Sequence, residues 1–252
     1  MIKKTIFMTI IFIILIFSSI SFADQVNVEI PNIDLNITTP DTADDYVNSI
    51  KILILLTVMT LVPSIIILMT SFTRIIIVLS LMRSALATQQ TPPNQVLVGL
   101  ALFLTLFIMA PVYTDVIDNA VNPYLDSAIT QEEAIDIGSR PIKEFMIRQT
   151  REKDLALFEE IADEEATNDI GEIKLTTLIP AFVISELKTA FQMGFMIFIP
   201  FIVIDMIVAS ILMSMGMFML PPVMISLPFK LLLFIMVDGW YLIVKSLVES
   251  FI

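Results

Sequence analysis

Apolar residues along this chain fall into long blocks rather than into the alternation of strands or the narrow stripes of soluble helices. The first block runs from about Ile52 to Met82 and is interrupted by Pro63 and Arg74. A second spans Val96 to Tyr113, a third Ala190 to Leu212 and a fourth Leu231 to Ile252. Each approaches or exceeds the roughly 18 apolar residues that mark a membrane-crossing helix. The pattern predicts an all-α, membrane-protein-like architecture: four long apolar helices in two hairpins, 51–113 and 186–252, with a soluble helical insert over 114–185. The first block is too long for one crossing, so a kink, a strong tilt or packing against protein is expected there.

The N-terminus has its own pattern. Lys3 and Lys4 precede a short apolar core from Ile6 to Phe17, and small residues lead to Ala23. This reads as a cleavable export signal over 1–23, since the core is short for a span. Residues 24–50 form an acidic, proline-punctuated tract. Counting crossings from an exported N-terminus puts the insert and both mature termini on the periplasmic side. Arg83 and Lys230 then lie on the inner connections, as the positive-inside rule favours.

Composition narrows the function. Hydrophobic residues make up 57% of the 252, with no cysteine and no histidine. That removes disulfides, thiolate metal sites, Ser-His-Asp and Cys-His catalysis and the commonest transition-metal ligand. A formal charge of −12 has the wrong sign for nucleic acid, and six glycines form no phosphate loop. No enzyme and no cofactor are indicated. Between 115 and 180 there are sixteen acidic and six basic residues. Ile142, Phe145, Met146, Phe158 and Ile161 recur at helical spacing, so the insert's charges read as a solvated face over one buried stripe.

Charges inside the apolar blocks carry more information. Arg74, Glu186, Asp205, Lys230 and Asp238 are costly in hydrocarbon and require partners or a water-filled cavity. Asp205 and Lys230 flank one hairpin turn. An intrachain pair between them is favoured over pairing with a neighbouring subunit, because short connections make antiparallel neighbours. Trp240 after Gly239 reads either as an interfacial anchor or as part of a close helix contact, and the sequence leaves both open.

The segment "MSMGMFMLPP" (213–222) sets Met213, Met215, Met217 and Met219 at alternate positions around Gly216. Taken alone, such methionines read first as core filler, and a copper(I) transporter is an alternative, since thioethers are soft ligands. The surrounding sequence adds more. "SFTRIIIVLSLMRSALATQQTPPNQVLVGLALFLTLFIMAPV" (71–112), "PAFVISELKTAFQMGF" (180–195) and "PFIVIDMIVASILMSMGMFMLPPVMISLPFKLLLFIMVDGWYL" (200–242) closely resemble the flagellar FliP family of type III export-gate proteins. The resemblance implies a homo-oligomer of five copies in the bacterial inner membrane, within the flagellar basal body. FliQ-type and FliR-type subunits would complete a gate that conducts unfolded flagellar polypeptides. It further implies that Met217 and Met219, with Met215 just upstream, line the pore constriction, and that Phe218 stands where another methionine is expected. Arg74, Glu186, Asp205 and Lys230 would then serve as structural charges.

Overall fold

The computed structural model describes residues 43–88, 90–164 and 169–251. The expected signal segment 1–23 and the acidic tract through residue 42 lie outside the described residues. Every regular element among those described is helical: α1 (Ala43–Leu68), α2 (Phe72–Ala85), α3 (Asn94–Val116), a π-helical turn (Ile117–Val121), α4 (Asn122–Leu125), α5 (Gln131–Gln149), α6 (Glu152–Ile161), α7 (Leu175–Ser214), α8 (Pro222–Met236) and α9 (Gly239–Glu249). Three helical stretches, Ile50–Leu68, Asn94–Leu125 and Leu175–Ser214, are long and apolar enough to cross a membrane. α8 and α9 pass the same test together although they bend by 63° at their junction.

The first apolar block is not one kinked helix. Pro63 lies inside unbroken α1, and the chain breaks instead at Met69–Ser71. Thr70 supplies the local chemistry: its hydroxyl donates to the Ile67 carbonyl at 2.8 Å and accepts from the Phe72 amide at 3.4 Å. Side-chain bonds of this kind compete with helix continuation. The break frees α2 to turn Arg74 inward, while the apolar side chains of α1 from Leu53 to Leu68 stay exposed.

α7 is the axis of the fold. Its 40 residues span about 60 Å, roughly twice the hydrocarbon thickness of a bilayer. It runs without a break through residues 185 and 186, so the insert and the second hairpin share one helix. Near its N-terminal end a core of Leu178 and Phe182 packs with Phe145 and Met146 of α5 and Met109 and Val112 of α3. Further along, Ala190 and Phe201 share a second core with Ile75, Val78, Leu79 and Met82 of α2, Leu97 and Ala101 of α3, Phe234 of α8 and Leu247 of α9. Glycine makes room at one contact: a Cβ on Gly194 would lie 2.2 Å from Leu81 Cδ1, so the Leu81 side chain of α2 packs directly on the α7 backbone.

The insert shows the expected stripe with one exception. Phe145 and Met146 are buried and Ile142 and Phe158 half-buried, but Ile161, in the last turn of α6, is 69% exposed. α5 starts with a capping box. The Thr130 amide donates to Glu133 Oε2 at 2.8 Å, and the Glu133 amide to Thr130 Oγ1 at 3.3 Å.

The α8–α9 junction is set by Asp238, whose φ of 51° and ψ of 55° are left-handed, and by Gly239, on which a Cβ would stand 2.3 Å from the Phe234 ring. Trp240 meets the same ring edge-on at 5.7 Å and stays 39% exposed. Replacement Gly239→Ala would therefore displace a planar ring rather than a flexible chain end. It should cost about 1–3 kcal/mol, read as a lower midpoint of thermal unfolding in detergent. An unchanged midpoint would show that the ring can move aside.

Candidate functional site

The methionine segment forms the turn between α7 and α8, and its shape follows from Gly216. At φ 75° this residue occupies the left-handed region that glycine tolerates. The Gly216 amide donates to the Met213 carbonyl at 3.0 Å, and the Met217 amide reaches back to Leu212 O at 3.0 Å. This pair of bonds is the Schellman arrangement that ends a helix. Pro221 and Pro222 then open α8, with proline where no amide donor is needed. Between these stops the side chains project outward: Met215 is 65% exposed, Phe218 78% and Met219 97%, whereas Met217 is half-buried. Behind the turn, Ile204, Ile207, Ile211, Ile225 and Phe229 line an open apolar groove of about 400 Å³.

Two polar nodes hold the helices that carry this turn. The first centres on Arg74, only 2% exposed. Its Nε donates to Glu186 Oε2 at 2.9 Å, and its Nη2 donates to Glu186 Oε1 and to Gln149 Oε1, the latter at 2.9 Å. Its Nη1 donates to both the backbone oxygen and the hydroxyl of Ser250, each at 2.9 Å. All five guanidinium N–H groups are thus used, which is what a buried arginine requires. The Phe251 ring lies 3.8 Å from the guanidinium carbon and stacks on Phe145. One side chain therefore joins α2, α7, the end of α5 and the C-terminal residues. Sequence reading placed Arg74 and Glu186 among the structural charge pairs but argued no specific partner for either. It missed Gln149, Ser250 and Phe251 altogether, because nothing in a polar residue near a helix end announces a distant guanidinium.

In the second node, Lys230 of α8 donates to Asp205 Oδ2 of α7 at 2.7 Å and to the Ala85 carbonyl at the end of α2 at 3.3 Å. Ser226 Oγ donates to Asp205 Oδ1 at 2.5 Å. The structure thus brings Asp205 and Lys230 together within one chain and adds a carbonyl that the sequence did not indicate. Of the remaining sequence-marked residues, Gly239 and Trp240 lie at the α8–α9 junction and join neither node.

A third cluster, unmarked in the sequence, ties the insert to α7. The buried Ser185 hydroxyl donates to Asp154 Oδ2 at 2.6 Å and accepts from the Arg151 amide at 3.1 Å, while Arg151 Nη2 lies 2.5 Å from the same carboxylate oxygen. Desolvation alone would push the Asp154 carboxyl up. Hydrogen bonds from Ser185 and Arg151, with the charges of Arg151 and Lys153, outweigh it and hold the group below its usual value.

The family model described as "FliP family" matches residues 55–247, three quarters of the chain. The chain belongs to the FliP family. The chain is 60% identical over 217 residues to the flagellar biosynthetic protein FliP of Bacillus subtilis, covering 86% of this chain and 98% of that one. FliP of Pectobacterium carotovorum is 54% identical over 212 residues, 84% of this chain and 82% of its own. FliP of Aquifex aeolicus is 47% identical over 225 residues, with 88% and 92% covered. The FliP match includes the Lys230–Asp205 node, the methionine turn and Arg74, Gln149 and Glu186 of the first node, but ends before Ser250 and Phe251.

Two outcomes follow. Reversing Asp205 or Lys230 alone should abolish stable accumulation in the membrane. Exchanging both should recover only part of it, because an aspartate at 230 would face the Ala85 carbonyl; full recovery would show that this contact adds nothing. A carboxyl held low in the fold contributes stability above its unfolded value, about 3.9, and loses it as pH falls through the folded value. Asp154→Asn should therefore be less stable at neutral pH, with its deficit against the parent shrinking below about pH 4. A deficit constant between pH 7 and 3 would contradict this.

Proposed function

We propose that this chain is the pore-forming subunit of the flagellar type III export gate in the bacterial inner membrane. Five copies, together with FliQ-type and FliR-type subunits, would enclose a channel for unfolded flagellar polypeptides. Membership of the FliP family supports a part in flagellar biosynthesis without chemical catalysis, and the apolar helices fit a membrane setting. The observation that carries the finer reading is the turn at 215–219. Its apolar side chains are presented outward from a rigidly capped hairpin, where the side chains of a buried turn would pack inward.

A seal that opens for polypeptides and closes against ions needs apolar groups that repack without breaking directional bonds. Methionine supplies this, being unbranched, polarizable and rotatable about three side-chain bonds. A narrow ring of such groups resists wetting and so excludes ions. Met219 and Phe218, the most exposed of the set, would form its inner edge, with Met217 behind them. An aromatic ring at 218 adds bulk at the cost of flexibility, so this constriction would mix a stiff element with soft ones. The insert, continuous with α7, would stand on the periplasmic side. Copper(I) transport gains no support from the family relationship.

The test combines deletion, complementation and conductance. Loss of the gene should abolish flagella and the export of hook and filament proteins, and the intact gene should restore both. Met219→Ala or Phe218→Ala in the complementing copy should preserve export while raising ion leak across the inner membrane several-fold, with Met217→Ala smaller in effect. Normal export without the protein would overturn the reading. Unchanged leak in all three variants would remove the turn from the seal.

A further inference from the structure

Of the five charges singled out in the apolar blocks, Arg74, Glu186, Asp205, Lys230 and Asp238, four are consumed inside the chain: Arg74 with Glu186 and Lys230 with Asp205. Asp238 is the exception. It sits at the α8–α9 bend, exposed; its backbone amide donates to Ile235 O and its carbonyl accepts from the Leu242 amide, but its carboxylate has no hydrogen bond or ion pair to any described residue. Its surroundings are apolar and equally bare, with Ile235 75%, Met236 76% and Tyr241 59% exposed. A carboxylate in such a setting is costly unless a cation meets it. The left-handed backbone that presents it is one that aspartate tolerates and most residues do not.

Arg83 is the complementary charge. Its Nη1 donates to the Pro92 carbonyl at 3.2 Å, and its other N–H groups have no partner among the described residues. α3, which begins two residues after Pro92, exposes Val96, Phe103 and Phe107.

The two charges stand at matching heights along α7. α2 runs parallel to α7, with Arg74 opposite Glu186 and Leu81 against Gly194, so Arg83 lies just beyond the level of Gly194. Asp238 falls between Phe234, which shares a core with Phe201, and Leu242, which lines a groove with Met193 and Met196. It therefore sits within the 193–201 stretch of the same helix. Arg83 is held beside the α2–α3 connection by its bond to Pro92, and Asp238 lies at the α8–α9 bend. A neighbouring copy related by rotation without slip along α7 would bring the α8–α9 bend of one chain to the α2–α3 connection of the next. A closed ring needs that kind of head-to-tail contact.

We propose that Asp238 of one copy forms an ion pair with Arg83 of the neighbouring copy, so that the α8–α9 bend of each docks on the α2–α3 flank of the next. This rests on the homo-oligomeric reading above and assigns its lateral contact. The pair would be rimmed by apolar side chains on both sides, the setting in which a charge pair gives register to an otherwise non-directional interface.

The absence of native cysteine makes the test clean. Arg83→Cys and Asp238→Cys are placed in one chain, expressed with the other flagellar proteins, and treated in native membranes with a short bismaleimide. An arginine–aspartate pair separates its Cα atoms by more than the ~7 Å a disulfide spans. A ladder of cross-linked copies in the double variant, absent from either single-cysteine chain, is expected. Arg83→Asp or Asp238→Arg alone should lower the oligomeric fraction about tenfold, and the two together should restore it. If the unmodified chain is oligomeric by native mass but the ladder and the rescue both fail, the pairing is wrong and the assembly reading stands. If the unmodified chain is monomeric in membranes that support export, both fall.

Discussion

Everything in this fold is arranged around a guanidinium that has left water. Burying Arg74 is tolerable only because each of its five N–H groups finds an oxygen, and those oxygens come from α7, from the end of α5 and from the C-terminal residues. Removing one partner of such a pair leaves an uncompensated buried charge, a loss of about 3–5 kcal/mol. Serving these donors requires α7, the end of α5 and the C-terminal residues to meet α2 at this point, so the node sets which helices meet and at what height. Apolar packing alone would not do this, since one leucine-rich face fits many others about equally well.

The Lys230–Asp205 pair acts in the same way further along α7, and between the two nodes the helices are free to be apolar on every side. Buried polar groups satisfied within the chain coexist with a surface of exposed Phe, Ile, Leu and Met along α1, α3, α7 and α8. Such a surface is stable only against lipid or other protein. The polar interior thus specifies the subunit, and the apolar exterior is left for what surrounds it. The methionine turn is the extreme case: a tightly capped loop whose backbone is fixed by Gly216 and two prolines while Met215, Phe218 and Met219 stand exposed.

Sequence reading recovered the elements whose signals are local. Helical character and the turn at 213–222 were legible because periodicity, glycine and proline act over a few residues, whereas the first and fourth apolar blocks are each two helices. The Asp205–Lys230 pair was legible because a short connection leaves few alternatives. The break at Met69–Ser71 was not, since Pro63 is the stronger helix breaker by composition and the deciding bonds are those of Thr70. Nor was the single helix running from the insert into the second hairpin, because the polar residues around Glu186 interrupt the hydrophobic pattern without interrupting the backbone. Gln149, Ser250 and the Asp154–Ser185 contact were invisible for a simpler reason. Each is an ordinary surface residue type whose role comes from tertiary neighbours more than thirty positions away.

The central role of the Arg74–Glu186 pair is tested most directly by a double-mutant cycle on unfolding in detergent, with Arg74→Met, Glu186→Met and the two combined. Each single change strands a buried charge and should be severe, whereas the double change removes both charges and should recover much of the loss. A coupling energy above about 2 kcal/mol is expected. Losses that add to within about 0.5 kcal/mol would contradict it and would mean that apolar packing, without this ion pair, sets the arrangement of the helices.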